Sequence, residues 1–406
     1  MPLHAKTPLT LLCLASYEKG HEFLREVKRQ GCRVYLLTSE SLKNTAKYPV
    51  ESIDEIFYMP DDNKKWDRQH TLQAVSYFAR HVKIDRIVPL DDFDLELAAY
   101  LREHLRIPGM GETTTRYFRD KLAMRMRAHF ADVPVPEFTG IVHHPDVHGF
   151  CQRVPAPWVL KPRFMAGAIG IKKFESEEEL WKTINGMGDE QSHYVLEQFI
   201  PGDIFHVDSI TFESKVLFAI ASRYGTPPLD VSQGGGIFTT ATLSQTSPDA
   251  KKLLAANKAV MKAMGMVRGV SHTEFIRAKN GKIYFLETSA RVGGANIVEL
   301  VEAATGLNLW AEWAKIEIAG EDGKYTAPKP QKDFAGLIVS LARQEKPDLS
   351  VFSDPEVCWR MEKKNHVGVI VRSHNQARVQ ELLAAYTKLV QHDFHATMDA
   401  PDRPTA

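Results

Sequence analysis

The sequence lacks an excess of charge of either sign. Its 51 basic and 51 acidic residues cancel over 406 positions, which removes the standing field that would draw a chain to nucleic acid or an anionic membrane. Cysteine is scarce. Cys13, Cys32, Cys151 and Cys358 stand far apart and form no CxxC pair. That argues against a disulfide framework or a zinc knuckle and fits a reducing compartment, so a cytoplasmic location is expected. No apolar run is long enough to cross a bilayer. The opening MPLHAKTPLTLLCLAS resembles a short secretory leader, but a first strand accounts for the same residues. No internal repeat and no low-complexity block is present. GxGxxG is also missing after that strand; SYEKG stands there instead, so a dinucleotide site is not expected.

What is present is an ordinary globular composition, 44% hydrophobic and 25% charged, over a length that suits two or three domains. LTLLCLA, CRVYLLTS, DEIFYMP and DRIVPLDD read as strands. HEFLREVKRQG, LQAVSYFARHV and LELAAYLREHL read as helices, the second with Leu72, Val75, Phe78, Ala79 and Val82 at helical spacing. This alternation predicts a Rossmann-like parallel-sheet domain over residues 1–112. IPGMGETTT breaks the pattern. RYFRDKLAMRMRAHF then reads as helix. PAPWVLKPR, IKKF, HYVLEQF and IFHVDSITF read as strands, with the helix SEEELWKTI among them. A 234–236 glycine loop precedes the helix DAKKLLAANKAVMKAM, and NIVELVEAATG is a further helix. From about residue 326, AGLIVSLA, HVGVIVRS and a helix with Val379, Leu382, Leu383 and Tyr386 on one face predict a small α+β unit over 326–406. The tail DAPDRPTA reads as frayed. The fold class is therefore α/β and α+β.

The chemistry concentrates in SHTEFIRAKNGKIYFLETSARVGG, residues 271–294. Asn280-Gly281 is a strong hairpin signal, because a two-residue type I′ loop needs positive φ at both positions. With the loop there, Lys279 faces Lys282, Ile276 faces Phe285 and Glu274 faces Glu287. Opposed carboxylates about 5 Å apart repel by about 3 kcal/mol at an effective dielectric of ~20. A fold that keeps such a pair usually sets something positive between them. Ser289 and Arg291 continue the same face. A row of hard oxygens ending in a cation suits Mg²⁺ that also binds phosphates. Taken alone, the pair equally describes a solvated hairpin whose glutamates are screened by water.

Four motifs in this order, RDKLAMR, VLKPR with AGAIG, EQFIPGD, and TEF with LETSARVGG, resemble the ATP-grasp superfamily over roughly residues 9–325. The resemblance implies an ATP-grasp domain over 113–325 made of two α+β subdomains that clamp ATP, the lid subdomain covering about 155–200. It implies ATP cleavage coupled to carboxylate–amine ligation through an acyl phosphate, with two Mg²⁺ ions that Mn²⁺ could replace. Carried over residue by residue, Lys121 resembles the lysine that reaches the phosphates, and Lys161 the one that contacts α-phosphate and adenine. Gly167 and Gly170 sit in a loop similar to the flexible phosphate cover, where glycine lets backbone N–H groups approach an anion. Glu197 resembles the hinge residue that reads adenine, helped by backbone groups of Gln198, Phe199 and Ile200. By themselves, Lys121 reads as a surface lysine and Glu197 as a strand-end carboxylate.

Relatives place a ribose-binding Glu where this chain has Ile204. His206, with Asp203 behind it, is the candidate for the ribose, though His206 also reads as a packed core histidine. Glu274 and Glu287 match the two metal carboxylates, and Ser289 stands where relatives usually carry Asn. Arg291 matches the arginine that steadies the acyl phosphate, since a guanidinium fork meets two anionic oxygens at once. Gly293 and Gly294 would bring backbone donors to the same oxygens. After the arginine, Val292-Gly293-Gly294-Ala295 replaces the Gln and Glu of biotin carboxylase, which argues against a carboxylase. The length, the glycine loop and the C-terminal unit are similar to L-amino-acid ligases. The resemblance therefore implies ATP-dependent amide or peptide bond formation on amino acids, releasing ADP and phosphate. It implies small-molecule carboxylate and amine partners, no nucleic acid and no membrane, and it allows a homodimer. Two other readings stay open: an enzyme acting on another carboxylate or in a carboxylase-like reaction, and a nucleotide-sensing binding protein with weakened catalysis.

Overall fold

The computed structural model describes residues 8–321 and 323–397. The tail DAPDRPTA and the first residues of the opening segment lie outside them. The N-terminal part is a parallel sheet in the order Glu55–Met59, Arg33–Ser39, Thr10–Ala15, Arg86–Pro89. Every residue of Thr10–Ala15 is buried, as a parallel strand covered on both faces requires. The chain winds outward from Thr10–Ala15 in one direction and then returns to its other side. That reversal opens a crevice between the carboxyl ends of Thr10–Ala15 and Arg86–Pro89. The two loops there are tied together: the Ser16 N–H donates to Asp94 Oδ2 at 2.9 Å, and the Tyr17 and Phe93 rings lie 5.6 Å apart.

The stretch RYFRDKLAMRMRAHF is not one helix. A short helix, Glu112–Arg116, ends in a turn, and a second begins at Lys121 and runs to His129. Asp120 makes the break, because its side chain accepts from the Leu122 and Ala123 N–H groups as an N-cap. Lys121 therefore leads a helix instead of sitting within one.

A small antiparallel sheet follows, ordered Phe138–Gly140, Tyr194–Gln198, Trp158–Pro162, Lys172–Phe174. Its first strand lies ahead of the stretch expected for the lid. This sheet has its own apolar core, with Phe150, Trp158, Leu160, Leu180, Ile184 and Leu196 buried together. Residues 199–201 carry the chain from it into a large sheet.

That sheet has eight strands among the described residues, ordered Ile283–Ser289, Gly269–Ala278, Gly202–Phe212, Lys215–Tyr224, Phe238–Thr242, Phe334–Leu341, His366–Ser373, Val357–Arg360. The glycines at 234–236 are part of a helix end: Pro228–Gly234 is helical and Gly235 caps it at φ 62°. The strands after 326 do not build a sheet of their own, because Phe334–Leu341 pairs with Phe238–Thr242. One buried cluster runs from the N-terminal sheet (Leu36, Val88) through Phe23 and Trp313 to Val298 and Leu337. The N-terminal and large sheets thus share a core, while the small sheet keeps a separate one.

Candidate active site

The hairpin Gly269–Ala278 and Ile283–Ser289 sets Glu274 opposite Glu287 and His272 opposite Ser289. It reaches that pairing by a different route from the one expected. The Ala278 N–H donates to Lys282 O at 2.9 Å and the Gly281 N–H to Ala278 O at 2.8 Å. Gly281 has φ 80°, whereas Asn280 is not among the positive-φ residues. This is a three-residue loop closed by a left-handed glycine, not a two-residue type I′ loop. Phe285 consequently pairs with Phe275, not with Ile276. A bulge at Leu286 then restores the opposition of the carboxylates. The unpaired Leu286 turns its carbonyl to the Arg125 guanidinium.

Cations meet both carboxylates. Lys121 Nζ lies 2.8 Å from Glu287 and also donates to Met165 O at 2.6 Å, inside the loop that holds Gly167 and Gly170. Both glycines adopt positive φ, 70° and 72°. Tyr224 donates its hydroxyl to Glu274 at 2.8 Å, and His272 Nε2 stands 3.6 Å from the same oxygen. Behind His272 lies a buried row. His272 Nδ1 and His206 Nδ1 bond the two Asp208 oxygens at 2.8 and 2.7 Å, and His206 Nε2 meets Thr240 Oγ1 at 2.8 Å. Burial alone would lower the pKa of His272, but Asp208 and Glu274 outweigh it and push it up to about 9. Burial alone would raise Asp208, yet the two imidazoles hold it well below the usual carboxylate range. Burial likewise opposes the charge on Glu274, and His272 and Tyr224 overcome it. The three potential ligand atoms of His206, Asp208 and His272 lie within 4.8 Å of one another, but hydrogen bonding to Asp208 already accounts for both imidazoles.

His206 is fully buried with both ring nitrogens engaged, so it is a core histidine with no group left for a ribose. Asp203 does not stand behind it. It lies on the opposite face of the strand, paired with Arg223 at 2.8 Å and Arg277 at 2.6 Å. Glu197 does not present a free carboxylate to a base either. Arg125 reaches it at 2.9 Å and Lys161 at 2.8 Å. Burial opposes its charge, but the two cations hold it down to about 2. The Gln198 and Phe199 N–H groups are taken by Glu137 O at 2.8 Å and Pro157 O at 3.0 Å. Phe199 and Ile200 belong to the crossing between the two sheets.

Sequence reasoning missed Asp92, which lies on the loop after Arg86–Pro89. It accepts the Ser289 hydroxyl and the Arg291 guanidinium, the latter through Nε at 2.8 Å and through Nη2. The run Asp-Asp-Phe-Asp at the end of a parallel strand was the available signal. Tyr224, Asp208 and His272 were also missed. The alternation of Ser-His-Thr-Glu puts His272 on the face of Glu274 and could have revealed it. Beyond Arg291 the chain turns sharply. A Cβ on Gly293 would come within 2.7 Å of Ile297 and 3.0 Å of His272 Nδ1, whereas Gly294 faces open space. Ala295 and Asn296 both take positive φ, 49° and 63°. The opposed carboxylates and the Ser289 hydroxyl, whose proton is given to Asp92, make an all-oxygen donor set that fits Mg²⁺.

Residues 154–299 match the profile of the ATP-grasp domain. The L-arginine-specific L-amino acid ligase of Bacillus subtilis is 27% identical over 58% of this chain and 58% of its own length. Carnosine synthase 1 of Homo sapiens is 22% identical over 82% of this chain and 42% of its own. This chain thus spans about half the length of these curated relatives. The crystal structure of an L-amino acid ligase from Bacillus licheniformis superimposes with TM-score 0.77 at 17% identity, over 97% of this chain and 100% of that one. An N5-carboxyaminoimidazole ribonucleotide synthetase from Thermus thermophilus gives TM-score 0.71 at 16% identity, over 93% and 98%.

Proposed function

We propose that this chain, whose residues 154–299 match the profile of the ATP-grasp domain, is an ADP-forming carboxylate–amine ligase that joins amino acids through an acyl phosphate. One observation carries the reading. A single hairpin presents two opposed carboxylates, meets Lys121 beneath the small sheet, and continues into Arg291 beside the crevice of the N-terminal sheet. Nucleotide chemistry and an organic substrate can therefore meet at one strand end.

Lys121, Lys161 and the loop holding Gly167 and Gly170 would receive the phosphates. Glu274, Glu287 and Ser289 would hold Mg²⁺, which supplies neutralisation of phosphate charge; two ions, with Mn²⁺ as a substitute, complete the proposal. A substrate carboxylate oxygen bonds to the γ-phosphorus as the bond to ADP breaks. The amine, having lost one proton to solvent, then bonds to the acyl carbon; the acyl carbon–oxygen bond to phosphate breaks, and the second nitrogen proton leaves with inorganic phosphate. Such transfer depends on positioning and charge neutralisation more than on covalent help from the protein. Arg291 would orient the acyl phosphate, with Gly293 and Gly294 close to it. A cytoplasmic location is supported by the absence of disulfides among Cys13, Cys32, Cys151 and Cys358. Among the described residues no helix is long and apolar enough to cross a membrane. A homodimer remains a proposal for light scattering to decide.

The experiment is Mg²⁺-dependent ADP release with and without single and paired amino acids, with mass spectrometry of the products. Amino-acid-dependent ADP release with a dipeptide or amide product is expected. ADP release that no amino acid stimulates would overturn the reading.

A further inference from the structure

We propose that Asp92, supplied by the N-terminal sheet, is the positioning residue that aims Arg291 and sets what Ser289 can offer. The contact stands on geometry, and its consequence for turnover rests on the ligase reading. Asp92 lies on a loop shaped by a local turn and anchored on one side to the neighbouring strand end. Asp91 accepts the Phe93 N–H at 3.2 Å, and Asp94 accepts the Ser16 N–H at 2.9 Å. Its carboxylate is buried and divides its two oxygens. Oδ2 takes Arg291 through Nε at 2.8 Å and through Nη2, while Oδ1 takes the Ser289 hydroxyl. Arg291 Nη1 donates in turn to Val292 O at 2.6 Å.

A guanidinium has five N–H donors. Three are now engaged, which leaves one on each terminal nitrogen for an incoming anion. Ser289 has a single proton, and Asp92 holds it, so the serine oxygen can only accept. One carboxylate thus makes the arginine a two-donor fork and the serine an oxygen ligand. Arg119 stands on the far side. Its Cζ lies 5.1 Å from the Phe93 ring and its Nη2 donates to Phe164 O at 2.9 Å. Asp92 therefore links the substrate-side crevice to the strand end, while Arg119 joins its neighbour Phe93 to the phosphate loop.

The test uses Asp92→Asn in the full chain, with Asp92→Glu as the charge-keeping companion. Partners that orient ligands and reacting groups typically matter by about 10–100-fold. Asp92→Asn is expected to lose ligation kcat on that scale while its KM for MgATP stays within a few-fold. Asp92→Glu is expected to recover part of the loss. In an Arg291→Lys background the Asp92→Asn change should cost less than it does in the parent, because its arginine arm is already gone and only the Ser289 arm is left. The readout independent of turnover is modification by an arginine-directed dicarbonyl, mapped by peptide mass spectrometry. Arg291 should react faster in Asp92→Asn than in the parent. Unchanged Arg291 reactivity, additive losses in the double variant, or a normal kcat at an unchanged Mg²⁺ requirement would each overturn the proposal. If the parent makes no amide from any amino acid, the ligase reading fails on its own, and Arg291 reactivity still decides the role of Asp92.

Discussion

Glu287 sits between two opposing influences: the carboxylate of Glu274 across the ladder and the ammonium of Lys121 at 2.8 Å. Glu287→Gln removes both, so its unfolding free energy should stay within about 1 kcal/mol of the parent, the scale of a partly exposed ion pair. On the proposed ligase reading turnover should be lost, because one of the carboxylates that would hold the metal is gone. Chemical denaturation and ADP release on the same sample check this, and near-normal turnover would remove Glu287 from the metal site. Arg291 is a different case, since Asp92 loses its counter-ion when the guanidinium is removed. Breaking a buried pair costs about 3–5 kcal/mol, so Arg291→Ala should be markedly less stable as well as slower. Arg291→Lys keeps the charge and is the better kinetic probe. It should bind MgATP almost as well as the parent yet lose about 2.7–4 kcal/mol in the chemical step, because a point charge cannot reproduce a fork. Nucleotide affinity and single-turnover rates separate the two effects. A large loss of affinity with an unchanged chemical step would make Arg291 a phosphate clamp.

At the scale of the element, the hairpin shows what could and could not be read. Alternation and Asn280-Gly281 announced two strands and the opposed carboxylates. Loop length was misread because the same dipeptide serves a three-residue loop, and the bulge at Leu286 leaves no local mark. Deleting Leu286 should keep Glu274 opposite Glu287, since the next residue moves up into the ladder. It should also strand the buried Arg125, which loses the carbonyl it holds. Stability is expected to fall by about 1–3 kcal/mol, the cost of an unsatisfied buried donor, with metal-dependent ATP cleavage retained. A fully folded but inactive deletion variant would mean that the local twist of the bulge aims the carboxylates. The break before Lys121 was hidden because Asp120 looks like any other charge in a basic helix until its capping bonds are seen. His206 read equally as a ribose candidate or a core histidine, because its occupancy by Asp208 and Thr240 depends on side chains that only the folded sheet brings near. The run Asp91-Asp92-Phe93-Asp94 marked the loop, but which carboxylate meets Ser289 and Arg291 could not be read, because those partners lie nearly half the chain away.

Across the whole molecule, Glu197 ties the helix Lys121–His129 to the small sheet through Arg125 and Lys161. Its carboxyl is held at about 2 against an ordinary 4.5. The folded value is the lower one, so the stability this group contributes is complete above about pH 4.5 and is lost as the pH falls toward 2. The shift corresponds to about 3 kcal/mol. Glu197→Gln should be less stable than the parent at neutral pH and show a flatter pH dependence across that window, measured by denaturant unfolding at stepped pH. A parallel loss in parent and variant would place the acid sensitivity elsewhere. The large sheet has a consequence of another kind, in the order of synthesis. Phe238–Thr242 is flanked on one side by a strand made earlier and on the other by Phe334–Leu341, made roughly ninety residues later. At roughly 5–20 residues per second, that edge waits about 5–20 s for its partner while the strands carrying the carboxylates are already emerging. An open strand edge is a template for pairing with another chain. Crowded ribosomes on one message would therefore put neighbouring nascent chains in competition for this seat, and slow codons between 243 and 333 would lengthen that exposure.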